Sequence, residues 1–256
     1  MRIGCAARAQ DAGVIASCGY DYLELPGRWA AAQPPSQLRA LARHLEALGL
    51  PCEGLNAYCP PEVVIVGEGF DLAKATEYAR RCAGAGAELG VRLVGIGSPL
   101  SRKVAPGYDK KAAFSQMSDF FDATAEVFRT YGMMVGIEPL GRCYTCVLNT
   151  PQEARDIVES CHADNLGLVI DFYNLRQNGD GDLPLTPFLP FILHAHISGD
   201  AGSPLKRWFL PKDAGPELER VRRLLEGGYQ GRLSVEVDLP VEEQAARRTL
   251  ALLRST

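Results

Sequence analysis
Short apolar runs rich in Val, Ile and Leu alternate along this chain with longer stretches of helical period, and that repetition leaves very few folds open to it. The apolar runs fall at residues 2–6, 22–25, 51–56, 91–96, 134–138, 166–171, 192–197 and 232–237. Helical period occupies 9–18, 36–48, 71–88, 112–131, 151–161, 216–226 and 241–254, with a short, weak segment at 185–189 in the sixth unit. Eight strand–helix units in 256 residues predict an α/β chain folded as a single closed (β/α)8 TIM barrel over residues 1–256. An open doubly wound sheet usually has fewer strands and a glycine-rich first turn. Here Cys5-Ala6-Ala7-Arg8 closes and follows the first strand, and neither G-x-G-x-x-G nor G-x-x-x-x-G-K-[ST] occurs, which disfavours dinucleotide and P-loop chemistry.

Local punctuation agrees with the repeat. Thr150-Pro151 supplies a helix N-cap followed by proline at the first helical position, with Glu153 in the first turn. Gly49 and Gly132 stand where a left-handed residue closes a helix before the next strand. Residues 97–108 and 199–216 are expected as long βα loops, and no linker or low-complexity tract marks a domain boundary.

Composition removes several function classes. Lys+Arg 27 against Asp+Glu 31 gives a net charge of −4, so there is no general attraction to nucleic acid or an anionic membrane, and neither is expected as a partner. No run approaches the ~18 apolar residues of a membrane span, and the N-terminus lacks a continuous signal-peptide core, so a cytoplasmic protein is expected. A chain of this size buries a core without staples, and its eight scattered cysteines are expected as reduced thiols.

Active sites of such barrels form at the C-terminal ends of the strands. Four strands close with metal-ligand residue types: Glu138 after Met134-Val135-Gly136-Ile137, Asp171 after Leu168-Val169-Ile170, His196 in His194-Ala195-His196-Ile197, and Glu236 after Leu233-Ser234-Val235. Each lies about one repeat from the next, which places the four on strands five to eight and at one rim. Three carboxylates and an imidazole suit Mn²⁺, Mg²⁺, Co²⁺ or Zn²⁺, and the lack of thiolates argues against a closed structural zinc site. An ion gripping the carbonyl and hydroxyl oxygens of a small sugar would acidify the neighbouring C–H for a carboxylate to remove.

These residues resemble the sugar phosphate isomerase/epimerase superfamily, xylose isomerase-like TIM barrels that include ketose 3-epimerases and hydroxypyruvate isomerase. The resemblance runs from Gly19-Tyr20-Asp21-Tyr22-Leu23-Glu24-Leu25 through Ser234-Val235-Glu236. It is most specific at Ile137-Glu138-Pro139-Leu140-Gly141-Arg142, Leu148-Asn149-Thr150, Gly167-Leu168-Val169-Ile170-Asp171-Phe172-Tyr173 and His194-Ala195-His196-Ile197. It implies that Glu138, Asp171, His196 and Glu236 bind one divalent metal ion, and that Glu138 and Glu236 act as acid and base on opposite faces of the sugar. Arg207, in Lys206-Arg207-Trp208-Phe209-Leu210-Pro211, is similar to an arginine that contacts substrate oxygens in relatives. A fixed guanidinium fork suits a carboxylate, a phosphate or a polyol.

Two positions depart from the family pattern. Where epimerases read E-P-L-N-R-F-E-T-N, this chain reads Glu138-Pro139-Leu140-Gly141-Arg142-Cys143-Tyr144-Thr145-Cys146, so Tyr144 stands where a substrate-binding glutamate is expected. Asn174 stands three residues after the strand-six aspartate, where relatives often carry histidine. Tyr144, Asn174, Arg142 and His194 complete the expected substrate-binding set, although Arg142 equally suits ordering its own loop. His194 shares a strand face with His196 and also fits a packed, hydrogen-bonded neighbour of the site.

Other candidates receive plainer readings. The C-x-x-C of Cys143 and Cys146 is read as a loop coincidence, His44 and His162 as surface or capping residues, and Arg102 and Lys103 as solvated loop charges, with a phosphate contact as the alternative. Tyr173, Trp208 and Phe209 suit pocket walls or ordinary packing. The expected activity is a metal-dependent isomerase or epimerase of a sugar, sugar phosphate or hydroxy-keto acid, working by proton transfer beside a carbonyl. Alternatives are a dehydratase of the inosose type, in which the carbanion expels a β-hydroxyl, and a non-catalytic sugar-binding barrel suggested by Gly141, Tyr144 and Asn174. A phosphodiesterase similar to the abasic-site endonuclease branch is disfavoured, because that branch uses more histidines than the 4 present here. The family resemblance also implies a homo-oligomer.

Overall fold
Eight parallel strands, β1 (Arg2–Ala6), β2 (Tyr22–Pro26), β3 (Cys52–Asn56), β4 (Leu93–Ile96), β5 (Met134–Ile137), β6 (Leu166–Asp171), β7 (Ile192–Ile197) and β8 (Arg232–Glu236), close into a barrel. Each pairs with its neighbours in sequence, and β1 closes on β8 with Ala6 opposite Glu236. The structure, a computed structural model, describes residues 1–200, 206–238 and 240–256. The strands are buried over most of their length because helices cover the outer face of the barrel, which is why they read as apolar runs instead of alternating ones.

The helices form for reasons visible in the chain. In Leu72–Leu89, the buried residues Ala75, Tyr78, Ala79, Cys82, Gly86 and Leu89 recur three or four apart and make one apolar stripe. Asp71 caps its first turn by accepting from the Lys74 N–H, and Gly90 ends it at φ +79°. Helix Pro151–Ser160 begins in a reciprocal cap: Glu153 N–H donates to Thr150 Oγ1 (3.2 Å), and Thr150 N–H donates to Glu153 Oε2 (3.0 Å).

The sixth unit differs from the sequence expectation. A helix at Phe172–Gln177 follows β6 directly, and the segment expected at 185–189 is a 3-10 helix, Thr186–Phe191. Pro190 inside that segment has no N–H to donate, so a regular α-helix is not sustained there. The expected 199–216 loop carries a two-stranded ribbon, Gly199–Asp200 against Arg207–Trp208, while its residues 201–205 lie outside the described residues.

Inside the barrel the side chains stack in layers. Near the bottom, Tyr22 crosses the lumen to Ser234 (Oη to Oγ, 3.0 Å), and β1 yields the space because Gly4 has no Cβ to strike the ring. Two residues further along β2, Glu24 enters the next layer beneath the C-terminal rim. All eight cysteines are free thiols, and Cys143 and Cys146 are exposed. Among the described residues, no helix is long and apolar enough to cross a membrane.

Candidate metal centre and active site
The strand ends bring Glu138, Asp171, His196 and Glu236 together at the C-terminal rim. One ligand atom from each lies within 4.8 Å of every other. Glu138 immediately follows β5, Asp171 closes β6 beside His196 on β7, and Glu236 closes β8. This is the scale of the ligand sphere of one divalent ion, whose bonds to oxygen and nitrogen are about 2.0–2.2 Å.

The carboxylates of the cluster are held by specific neighbours. Asp171 divides its oxygens: Oδ1 caps the Phe172–Gln177 helix by accepting from the Tyr173 N–H (2.7 Å), and Oδ2 accepts from Arg207 Nη2 (2.7 Å). Asn174 Nδ2 donates to Glu138 Oε1 (2.9 Å), and Asn56 Nδ2 donates to Glu236 Oε1 (3.2 Å). Gly97 must lack a side chain here, since a Cβ would overlap Glu138 Oε2.

Beneath this layer lies a residue to which the sequence reading gave no role. Glu24 is fully buried, with His196 Nε2 3.1 Å from both its oxygens and His194 Nε2 3.0 Å from its Oε2. Burial opposes its charge, but the two imidazoles outweigh that and hold its carboxyl well below the usual range. An ionised carboxylate only accepts, so both Nε2 atoms carry protons. The coordinating capacity of His196 is therefore at Nδ1, which has no hydrogen-bond partner and faces Glu236 Oε2 at 3.8 Å. Glu236 Oε2 also lacks a hydrogen bond, despite lying 2.9 Å from Arg207 Nε. Two buried, unsatisfied ligand atoms turned toward each other among carboxylates are what a cation-binding site requires, and the residues fit a divalent ion.

Electrostatics agree with that fit. Burial, reinforced by the charges of Asp171 and Glu236, pushes the Glu138 carboxyl up to about 8. Burial likewise raises Glu236, against the pull of Arg207 and His196. His196 moves up to about 10, because the neighbouring Glu24 and Glu236 charges outweigh the effect of burial. His194, with burial dominant, is lowered. In this structure the Arg207 guanidinium supplies positive charge, contacting Asp171 and Glu236 while lying 4.9 Å from the Tyr173 ring centroid.

A cavity of about 210 Å³ opens above the cluster, lined among others by Glu138, Glu236, Arg207, Tyr144, Asp238 and Arg28. The expected substrate-binding residues divide. Arg207 and Tyr144 line this cavity, whereas Asn174 is buried behind Glu138. His194 is 1% exposed and bound to Glu24, so it supports the site from below and does not face substrate. Arg142 is exposed and turned to Asn178, with its N–H donating to Asn178 Oδ1 (2.7 Å), so it orders its loop outside the cavity.

Tyr173 and Phe209 are core residues. Lys103, His44 and His162 are exposed. Arg102 corrects the solvated-charge reading. It is completely buried, its Nη2 donates to the Glu138 carbonyl (2.7 Å), and its own carbonyl accepts from Thr145 Oγ1 (2.6 Å). The 3-10 turn Pro99–Arg102, entered through Ser98 at φ +49°, folds it inward. Burial lowers its pKa to about 10, which leaves it charged at neutral pH.

Comparison with known proteins fits this architecture. Residues 13–256 match the family described as xylose isomerase-like TIM barrel. An inosose isomerase from Halalkalibacterium halodurans is 31% identical over 125 residues, and the match spans 45% of this chain and less than half, 43%, of that relative. A D-psicose 3-epimerase structure shares the fold with a TM-score of 0.83 at 17% identity, over 100% of this chain and 99% of that one. A 3-keto-D-glucoside 4-epimerase from E. coli does so with a TM-score of 0.78 at 20% identity, over 100% of both chains. The closed eight-stranded barrel and the near-complete family match lead to one conclusion: the chain belongs to the xylose isomerase-like TIM barrel family.

Proposed function
We propose that this protein is a divalent-metal-dependent isomerase or epimerase that moves a proton beside the carbonyl of a small carbohydrate or hydroxy-keto acid. The observation that carries the reading is the convergence of Glu138, Asp171, His196 and Glu236, with the unpartnered His196 Nδ1 turned into the group. A divalent ion bound there supplies Lewis-acid polarisation of a carbonyl oxygen.

The chain's own groups account for the rest. Glu138 and Glu236 come from β5 and β8, strands that are not neighbours in the barrel, and both line the cavity. Asn174 donates to Glu138 Oε1 and Asn56 to Glu236 Oε1, which orients the two carboxylates on the cavity wall, where they would exchange protons with a substrate carbon. One of these two carboxylates would remove the proton from the substrate carbon and the other would return a proton to it. In the reverse direction the roles exchange. Arg207 pairs with Asp171 and Glu236 in this structure and would turn to a substrate oxygen once a divalent ion takes up those carboxylates, while Leu140 and Pro99 add apolar wall to the cavity.

The test is Glu236→Gln, assayed on a substrate identified from a panel of ketoses, ketose phosphates, hydroxy-keto acids and inososes, with bound metal measured in parallel. Loss of the proton acceptor should lower kcat by about 10²–10⁴-fold. Unchanged kcat with metal still bound would overturn the acid–base assignment.

A further inference from the structure
The cavity contains donors that the metal cluster does not use. Arg207 is committed to Asp171, Glu236 and Asn174, and Arg102 is buried behind Glu138. Arg28 is different. Among the described residues its exposed guanidinium has no hydrogen bond or ion pair, although it lines the same cavity as Glu138 and Glu236. Its backbone is nonetheless fixed: the Arg28 N–H donates to the Ala57 carbonyl (3.2 Å), and Gly27 packs so closely on Tyr58 that a Cβ would lie 3.1 Å from the Tyr58 carbonyl oxygen. The turn after β2 therefore holds this charge at the rim.

A second unused donor comes from the other departure in the chain. Tyr144 lines the same cavity, and its hydroxyl is buried and lacks any hydrogen-bond partner. Burial raises its phenol, so it remains a neutral donor. A buried hydroxyl without a partner is destabilising, and a ligand oxygen would recover that loss. Asp238, the remaining acid of the wall, has its Oδ2 occupied by the Arg207 N–H (2.7 Å). Arg28 also borders an adjoining cleft of about 440 Å³ with Arg8, Gln10 and Trp29, so there is open space beyond it.

We propose that Arg28 and Tyr144, on the wall of the cavity that Glu138 and Glu236 also line, form a subsite for an anionic oxygen group, a carboxylate or a phosphate, carried by the substrate. The inference rests on the reading of this cavity as a substrate site, and it narrows the substrate class to acidic carbohydrates. A guanidinium is donor-only and forked, so its complement is a charged, acceptor-rich group. A neutral ketose would satisfy the Tyr144 hydroxyl but leave the Arg28 charge without a counterpart.

Inorganic phosphate and acetate, titrated calorimetrically into the chelator-treated protein, test this without any turnover. At least one anion should bind the wild type, at least tenfold more weakly to Arg28→Gln and several-fold more weakly to Tyr144→Phe, with partial recovery in Arg28→Lys. Preference for phosphate assigns a phosphorylated substrate, and preference for acetate assigns a hydroxy-keto acid. No binding to the wild type, or equal binding to the wild type and Arg28→Gln, overturns the subsite. Arg28-dependent anion binding with no deuterium exchange into any carbonyl compound would retain the subsite and reject the reaction.

Discussion
His196 Nε2 lies 3.1 Å from both carboxylate oxygens of Glu24, and this contact decides which imidazole nitrogen faces the metal cluster. Glu24 accepts the hydrogen bond from the Nε2–H and leaves Nδ1 toward Glu236. Glu24→Gln keeps the shape but removes the charge. Divalent-metal affinity should fall about 10–100-fold, the usual effect of losing the partner of a ligating histidine. Titration with Mn²⁺ followed by electron paramagnetic resonance measures this, and equal affinity in the two proteins would contradict the assignment.

The raised carboxyls predict how stability depends on pH. Glu138, raised to about 8, and Glu236, also raised, hold protons more tightly folded than unfolded. The chelated protein therefore loses stability from these groups as pH rises from the ordinary carboxylate range toward about 8. His196, raised to about 10, has the same sign: its contribution is complete below its ordinary value and is lost as pH climbs through about 10. Metal binding needs both carboxylates ionised and His196 Nδ1 free of its proton, so metal affinity changes in the opposite sense. The increase in Tm on adding Mn²⁺ should thus be larger at pH 8 than at pH 5.5. An increase that is equal or smaller at pH 8 would contradict this.

Gly97→Ala places a methyl group on Glu138 Oε2. The carboxylate must move or the loop after β4 must shift, so metal affinity should fall at least tenfold while the barrel still folds. Circular dichroism with metal titration checks both parts, and unaltered affinity would contradict the close packing of Gly97 on Glu138.

Arg102→Ala should be costly for a residue that sequence alone marks as a loop charge. It leaves the Glu138 carbonyl without its donor and opens a space in the core. The expected loss is about 3 kcal/mol by urea denaturation. A change under about 0.5 kcal/mol would contradict its structural role.

The convergence of Glu138, Asp171, His196 and Glu236 was legible because each interrupts or ends an apolar strand at the C-terminal rim, and the barrel brings such ends together. Glu24 gave a fainter signal. It lies inside the apolar run Tyr22-Leu23-Glu24-Leu25, where an acid must face either solvent or an interior partner, and only closure of the barrel shows the two histidines across the lumen. Arg102 was not legible, because its burial depends on a left-handed Ser98 and a 3-10 turn that leave no periodic trace. The Phe172–Gln177 helix was missed for a related reason: six residues are too few to show a helical period, and its cap is Asp171, which the sequence marks first as a ligand. Arg28 went unnoticed because a lone arginine after a strand resembles any surface charge until its unpaired guanidinium is seen in the cavity wall.

Solvent deuterium incorporation into the carbonyl panel, followed by mass spectrometry with Mn²⁺ present and again with chelator, tests the central claim most directly. Exchange into at least one compound, present with Mn²⁺ and abolished by chelator, is expected if the four-ligand cluster supports proton removal beside a carbonyl. No exchange into any compound with the metal bound, or exchange that chelator does not diminish, would contradict it.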